Sequence, residues 1–383
     1  MSDPALSDKE IARFLTMKPA SRRNFIKAFG ASAAAISFSN CKPERPKGEL
    51  PKSEIPGSES ANLQWYNWSD FVGETTIDDF AAQTGVKVDM TLFATNDELF
   101  AKFRAGNSGY DLIMPSNEFV TRMAQADMLV QLDHSKIPNM KNLMPEFQTT
   151  DFDPGNKYSM PYAWLVMGIG YRKSKMKNGQ IPDSWKILFD SDEYKGKISL
   201  LSESADIFRL GFKYLGKSVN VDDAALINQV EEMLKKQKAN IKNFHSDDGQ
   251  DLLLSREVDL VLEYNGDIAQ KQLEDSDLAF VVPKEGSLMS TDCMCIPKGA
   301  PNPNNAHAFI DFLLDGANGA NITRTIQYPT TNRVARSLMD DDYKNNPTIF
   351  PPTDVMSKCE YGRYQDARLT QAFEAAMTRL RAS

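Results

Sequence analysis

Strand-like and helix-like segments alternate along the chain after residue 60, and this alternation restricts the fold more than any other feature of the sequence. Strands are predicted at 62–68, 86–93 and 110–116, where β-branched, aromatic and aliphatic residues cluster between turn residues. The segments between them have apolar residues at helical spacing. Because a strand–helix–strand order favours parallel strands with helices on both faces, the sequence predicts an α/β fold with a mostly parallel sheet.

The predicted helices of this first region have identifiable ends. TTIDDFAAQT, residues 75–84, stops before Gly85, which suits the left-handed conformation that often follows a helix. Asn96 is the expected N-cap of the next helix, which ends at Gly106. A third helix is expected to begin at Glu118. These boundaries support a series of three strand–helix units.

A second series of strands and helices begins near residue 168, without an internal repeat. Long helices are predicted at about 304–315 and at 367–381, where the chain returns to pack on earlier segments. Two α/β lobes joined by several chain crossings fit this order better than two domains on one linker. The sequence assigns residues 61–167 and 293–336 to lobe 1, and residues 168–292 and 337–383 to lobe 2.

The N-terminal segment has the pattern of an export signal. SRRNFIK, Ser21–Lys27, matches the twin-arginine consensus at every position and precedes an apolar run of eleven residues, Ala28–Phe38. A run of this length is too short to cross a bilayer, which needs about 20 residues. The sequence therefore predicts a twin-arginine signal peptide at residues 1–40, with the twin-arginine export machinery as a partner.

Two sites of signal removal are compatible with this segment. Cys41 follows the apolar run where the acylated cysteine of a lipoprotein would lie. Residues 41–60 have the Pro-, Glu-, Lys- and Ser-rich composition of a flexible tether. Cleavage after the small residues Ala33–Ala35 is the alternative. A tether directly after Cys41 favours lipid anchoring at that residue.

Charge is unevenly distributed between the N-terminal segment and the rest of the chain. The 383 residues have a formal net charge of −8, whereas residues 1–60 carry ten basic and seven acidic residues, which leaves about −11 on the remainder. An acidic body argues against nucleic acid as a partner, because phosphate binding needs a basic patch. The acidity suits a cationic ligand, although solubility alone produces the same composition.

The sequence contains no recognised pattern for catalysis, cofactor binding or metal binding. Its three histidines lie in no HExxH motif, and GxSxG, GxGxxG and Walker motifs are absent. Cys293 and Cys295 are too close in sequence for an unstrained disulfide, so these two and Cys359 are interpreted as buried small residues or as one long-range bridge. The sequence therefore predicts no catalytic residue, no metal site and no cofactor.

Polar and aromatic residues cluster where predicted strands end. NWSDF, MPSNEF and LLSESAD follow three of these strands. In sheets of this kind ligands bind beyond the carboxyl ends of the strands. Trp68 and Asp70 together offer an apolar face and a negative charge, which suits an alkyl ammonium group.

These motifs resemble those of the bacterial periplasmic polyamine-binding proteins of ABC importers, from about Leu63 to the C-terminus. YNWSDF, DLIMPS, FDPGNKYSMPYAW, SWKILF, VVPKEGS, IQYPTTN and IFPPTDV occur in the order and spacing of that family. The resemblance implies a periplasmic-binding-protein fold, with two α/β lobes hinged around a cleft. It also implies a periplasmic monomer without enzymatic activity, which binds putrescine or spermidine and delivers it to an inner-membrane ABC permease.

The resemblance also implies which residues contact the ligand. Each ammonium group of a polyamine needs a carboxylate, and the methylene chain needs apolar faces. Aromatic, hydroxyl, acidic and amide contacts are assigned on this basis to Trp68, Ser69, Asp70, Phe71, Glu118, Glu203, Asp206, Tyr264, Asp267, Ser290, Asp292, Tyr328 and Gln365.

Several of these positions depart from the family's pattern. Phe71, Tyr264 and Ser290 leave the clamp less aromatic than in relatives, whereas Glu118 is interpreted as an added acid. Asp267 matches the acid of putrescine-selective relatives, which favours putrescine over spermidine. A receptor for agmatine or another cation and a ligand-sensing partner of a membrane signalling receptor are the alternatives. An enzyme that uses the acids is a third, and no motif supports it.

Overall fold

The computed structural model describes residues 59–106 and 109–383, so the predicted signal peptide, Cys41 and the tether up to residue 58 lie outside the described residues. The strands are β1 Asn62–Asn67, β2 Lys87–Leu92, β3 Leu112–Ile113, β4 Ser159–Arg172, β5 Ile198–Leu201, β6 Ile241–His245, β7 Leu260–Tyr264, β8 Leu278–Val281, β9 Leu288–Cys295 and β10 Glu360–Tyr361. The α-helices are α1 Thr76–Thr84, α2 Asn96–Arg104, α3 Asn117–Gln125, α4 Lys186–Phe189, α5 Ser204–Tyr214, α6 Ala224–Gln237, α7 Gly249–Leu254, α8 Asn265–Gln272, α9 Pro303–Leu313, α10 Gly316–Ile326, α11 Arg333–Ser337, α12 Asp341–Lys344, α13 Thr353–Met356 and α14 Ala367–Ala382.

The strands form one mixed sheet in the order β2-β1-β3-β9-β4-β7-β5-β6, with β10 added to β9 and β8 added to β4. β1 is parallel to β2 and β3, and β5 is parallel to β6 and β7. The 14-residue strand β4 runs antiparallel to β7, β8 and β9. The predicted α/β class is confirmed, and the sheet is more mixed than predicted because the antiparallel strands β4 and β9 lie between two parallel groups that run in opposite directions.

Two large hydrophobic cores lie along β4. The first contains Leu63, Trp65 and residues up to Leu165, together with Cys293–Ile296 and helix α9. The second begins with Met167 and includes β5, β7, α5 and α14. Both β4 and β9 contribute residues to the two cores, so these two strands join them. The predicted lobe boundaries stay a prediction.

The ends of the first helices differ in one respect from the prediction. Gly85 follows α1 with φ 77°, in the left-handed conformation expected of it. Thr95, not Asn96, is the N-cap of α2, and its hydroxyl accepts a hydrogen bond from the amide of Glu98 at 3.1 Å. Asn96 is instead engaged by Ser116, whose amide donates to Asn96 Oδ1 at 3.0 Å and whose Oγ accepts from Asn96 Nδ2 at 2.9 Å. The predicted cap is therefore wrong by one residue.

The cysteines in the described residues are free. Cys293 and Cys295 are buried on β9, and Cys359 is partly buried. Burial raises the pKa of the Cys293 and Cys295 thiols well above the usual value of 9.0. The interpretation of these cysteines as buried small residues is confirmed, and the alternative of a long-range bridge is wrong. Across 59–106 and 109–383, no helix combines the length and apolar composition needed to cross a membrane.

Candidate ligand-binding site

A cavity of about 1080 Å³, counting its opening to solvent, is lined by residues from both cores. Its walls include residues that follow β1, β2 and β3 on one side and β5, β6 and β7 on the other. Each of these two groups of strands is parallel, so the residues after their carboxyl ends lie at one edge of that group. The two groups run in opposite directions, and both sets of carboxyl ends point toward the middle of β4, where its pairing changes from β9 to β7. The sheet topology therefore explains why distant sequence segments meet here.

Trp68, directly after β1, forms part of the first wall. Its indole Nε1 donates a hydrogen bond to the carbonyl of Met114 at 2.9 Å. The centroid of its ring lies 4.2 Å from the centroid of the Phe93 ring. These two contacts fix the plane of the indole. Trp68 is only partly buried and lines the cavity, so a face is available to a ligand.

One pair of acids, Glu203 and Asp206, lies at the start of α5. Glu203 accepts a hydrogen bond from the amide of Asn96 at 2.9 Å, and Asp206 accepts one from the Tyr264 hydroxyl at 3.2 Å. Burial and the adjacent Asp206 raise the pKa of Glu203 well above its usual value of 4.5. Burial raises the pKa of Asp206 to about 6, against the opposing effect of Arg209. Both carboxyls therefore keep their protons to a higher pH than freely exposed carboxyls do.

A second pair of acids, Asp247 and Asp267, follows β6 and β7. The Ser69 hydroxyl donates to Asp247 at 2.7 Å. Burial raises the pKa of Asp247 to about 7 and that of Asp267 well above its usual value of 3.8, and each of these carboxylates also feels the charge of Glu263. In the absence of a cation, burial thus favours the protonated form of these two carboxyls over the charged form.

Gly266 precedes Asp267 of this second pair, and the structure gives a steric reason for a glycine at this position. A Cβ at Gly266 would lie 2.2 Å from Cδ2 of Tyr328, so only glycine lets this ring pack here. The Tyr328 hydroxyl, in turn, hydrogen-bonds Asp267. The YNGD segment therefore supplies the acid Asp267, and its glycine leaves room for the ring of Tyr328 beside that acid.

Asp292 lies on β9 and is 5% exposed. Its Oδ1 accepts a hydrogen bond from the Ser116 hydroxyl at 2.6 Å. Burial raises the pKa of Asp292 to about 7, with a contribution from Asp206. Asp292 in turn raises the pKa of Asp247. The Asp292 carboxylate therefore interacts electrostatically with one member of each acidic pair, Asp206 in the first and Asp247 in the second.

None of these five acids forms an ion pair with a basic residue of the described part of the chain. The two arginines that line the cavity are already engaged. Arg122 pairs with Asp97 at 3.4 Å, and Arg209 pairs with Glu118. Because desolvated carboxylates without a cation are costly, the cavity has an electrostatic demand for positive charge.

Eleven of the thirteen residues assigned from the sequence line this cavity. They are Trp68, Ser69, Phe71, Glu118, Glu203, Asp206, Tyr264, Asp267, Ser290, Asp292 and Tyr328. Asp70 and Gln365 are not among the lining residues. Asp70 is exposed, with φ 48°, although its charge raises the pKa of Asp247 and Asp267. Gln365 instead donates a hydrogen bond to the carbonyl of Asn220.

Glu118, interpreted from the sequence as an added acid, is ion-paired with Arg209 in the structure and therefore adds no uncompensated charge to the cavity. Its two carboxylate oxygens accept hydrogen bonds from Nη1 and Nη2 of Arg209, the latter at 3.1 Å. Arg209 is 2% exposed, so the partner is a permanent part of the interior. The sequence did not reveal this pairing, because Glu118 and Arg209 are 91 residues apart and lie on different helices.

Sequence reasoning missed two acids that line the cavity, Asp97, which pairs with Arg122, and Asp247, which has no ion-pair partner among the described residues. Asp247 follows β6, whose segment IKNFH has little hydrophobic alternation and was not predicted as a strand. A predicted strand there would have marked HSDD as another strand end. Ser116 was also missed, although it lies in the MPSNEF motif, because a serine that orients an acid has no distinctive spacing.

Comparison with known proteins gives a consistent result. The bacterial extracellular solute-binding protein family matches residues 75–351. The chain is 32% identical over 341 residues to the spermidine/putrescine-binding periplasmic protein 1 of Haemophilus influenzae, covering 88% of this chain and 94% of that protein. It is 33% identical over 334 residues to the putrescine-binding periplasmic protein SpuD of Pseudomonas aeruginosa, covering 83% of this chain and 90% of that protein.

A solved structure gives the same relationship at the level of the fold. The spermidine/putrescine ABC transporter substrate-binding protein of Streptococcus pneumoniae superposes with a TM-score of 0.72 at 30% identity, and the match covers 84% of this chain and 99% of that one. The predicted two-lobed periplasmic-binding-protein fold is therefore confirmed.

Proposed function

Since this chain belongs to the bacterial extracellular solute-binding protein family, we propose that it is a receptor for a linear polyamine, putrescine or spermidine, which it delivers to an ABC permease. Members of this family bind solutes and are not enzymes. The relatives named above are described as binding spermidine or putrescine. The ligand is held in the cavity between the two cores.

The absence of an ion pair between any of the five acids and a basic residue, within the described residues, is the observation that carries this proposal. Glu203 with Asp206 and Asp247 with Asp267 form two negative sites, and Asp292 is electrostatically close to both. A molecule with two separated ammonium groups neutralises both sites at once. The methylene groups between the ammonium groups contact aromatic side chains, for which Trp68, Tyr264 and Tyr328 are available.

The same reasoning assigns the location and partners of the protein. The periplasm is where its relatives are described to act. Export through the twin-arginine machinery and a lipid anchor at Cys41 rest on residues outside the described part and follow from the sequence alone. Ligand-driven closure of the two lobes is the step that the permease reads, because a ligand that contacts both lobes favours their closed arrangement.

Calorimetric titration of the purified, extensively dialysed protein tests the proposal. Putrescine, cadaverine, spermidine, spermine and agmatine are compared with an uncharged amino acid mixture as the control. Micromolar or tighter binding of a diamine or triamine is the expected result. Tight binding of agmatine alone would move the assignment to a guanidinium-bearing solute, and the absence of heat with every amine would refute the proposal.

Replacement of Trp68 with leucine should weaken putrescine binding by about 2 kcal/mol, roughly 30-fold, because the ammonium loses a desolvated indole face. The fold is expected to remain intact, since Trp68 is only partly buried. Trp164→Leu is the matched control, because Trp164 is also partly buried and does not line the cavity. Equal losses in the two variants would show that Trp68 supports the fold and not the ligand.

A further inference from the structure

The Glu118–Arg209 ion pair connects the two sides of the cavity. Glu118 belongs to the first turn of α3, whose Val120 and Met123 are in the first core, and Arg209 belongs to α5, whose Ile207 and Phe208 are in the second. Their side chains are 17% and 2% exposed, and both line the cavity.

Arg209 lies on the same helix as the first acidic pair, about one turn after Asp206. Glu203 is the N-cap of α5, Asp206 is in its first turn, and Arg209 follows three residues later. Residues three apart share a helix face and are separated by about 4.5 Å along the axis. Asp206 is therefore followed, one turn later, by a built-in cation on the same side of the helix.

Within the ion pair, the positive charge of Arg209 has the stronger effect on Asp206. Arg209 lowers the pKa of Asp206 by more than Glu118 raises it. The charges of Asp206 and Glu203 also act on Arg209. A ligand ammonium bound by Glu203 and Asp206 would therefore have the Arg209 guanidinium as its neighbour along the helix.

The chain before α14 covers this end of the cavity. Arg209 Nη2 donates to the carbonyl of Arg363 at 2.8 Å, and Asn117 Nδ2 donates to the carbonyl of Gly362 at 2.8 Å. A Cβ at Gly362 would lie 2.8 Å from Arg209 Nη1, so the backbone packs directly on the guanidinium. The ion pair is thus held between α3, α5 and residues 362–363.

We propose that the Glu118–Arg209 pair closes one end of the ligand cavity with an internal cation and thereby selects a two-ammonium diamine over longer polyamines. The inference rests on the proposed function and specifies its substrate class. A diamine places its two ammonium groups on the two acidic pairs. A further ammonium group extending past Asp206 meets a fixed positive charge and a covered wall, and it loses its water without gaining a carboxylate.

The double variant Glu118→Gln/Arg209→Gln tests this selectivity. Both partners are replaced together because a single replacement leaves a buried charge unpaired, whereas joint neutralisation of a buried pair is tolerated far better. The affinities for putrescine and spermidine are measured by calorimetry. The ratio of spermidine affinity to putrescine affinity should rise at least about tenfold over the wild-type ratio. An unchanged ratio would overturn the inference, and so would an equal loss of both affinities.

The matched control is Arg172→Gln/Asp275→Asn. This ion pair has side chains 2% and 22% exposed, a separation of 2.7 Å, and no residue in the cavity lining. It should leave the affinity ratio unchanged. A tenfold rise in the control as well would mean that loss of any buried pair loosens the protein, and the inference would fall.

The single variant Glu118→Gln keeps the inference testable if the double variant does not fold. It leaves the Arg209 charge without its partner, so spermidine affinity should fall by a larger factor than putrescine affinity. Equal factors would overturn the inference. Wild-type protein that binds neither amine would refute the proposed function itself, whereas wild-type binding with an unaltered ratio in the variants refutes only the role of the ion pair.

Discussion

Asp292→Asn should weaken putrescine binding by at least about 100-fold, as expected when one partner of a desolvated charge pair is lost. Asparagine has nearly the same shape and still accepts the hydrogen bond from Ser116. The loss therefore reports on charge and not on packing. Isothermal titration at pH 8, where the wild-type carboxylate is ionised because its pKa is about 7, measures the effect.

Asp311→Asn provides the control for this variant. Asp311 is a partly buried carboxylate whose pKa is raised by burial, and it lies on α9 outside the cavity. Its replacement should leave affinity within about twofold, since it touches no ligand. The thermal midpoint of the ligand-free Asp292→Asn variant should equal or exceed that of the wild type, because an unpaired buried charge is removed. Unchanged affinity in Asp292→Asn would remove this residue from the site.

Lowering the pH from 8 to 5 should weaken putrescine binding by at least about 100-fold. In the ligand-free protein Asp206 has a pKa of about 6, and Asp247 and Asp292 have pKa values of about 7. At pH 5 these carboxyls hold protons, which must leave when the ammonium groups bind. The ligand stays protonated throughout this range, as a lysine does. Proton release can be measured by repeating the titration at pH 7 in buffers with different enthalpies of ionisation.

The pH dependence of folding stability should have the same origin. The folded pKa of Asp247 is raised from 3.8 to about 7, so the folded state binds this proton more tightly than the unfolded state. The resulting stability is fully present below pH 4 and is lost as the pH rises through 7. The ligand should accordingly raise the thermal midpoint more at pH 8 than at pH 5. A pH-independent affinity with no proton release would contradict the assignment of these acids as the ligand's partners.

Local patterns in the sequence predicted the elements that carry strong periodicity. Helices α1 and α14 and the strand containing Trp65 were predicted close to their observed bounds, because apolar spacing and the glycine after α1 are properties of short segments. Strand β6 was missed because IKNFH has no regular alternation, and its pairing with β5 is decided by neighbours far away in sequence.

The candidate site was predicted in part for the same reason. The motifs shared with the polyamine-binding family identified Trp68, Asp267 and Asp292, all of which line the cavity. They did not show that Asp70 is outside the cavity lining or that Gln365 bonds to Asn220, since a motif fixes residue type and not the packing of each side chain.

The sequence by itself determined the α/β class, the acidic character of the body and most of the acids at the strand ends. These follow from composition and from short-range spacing, which any chain segment carries with it. Only the tertiary structure decided which charges are available to a ligand. Glu118 is neutralised by Arg209, whereas Asp247 has no basic partner among the described residues. The difference arises because an electrostatic partner is chosen by distance in space, and the sheet topology brings together helices and strand ends that are far apart along the chain.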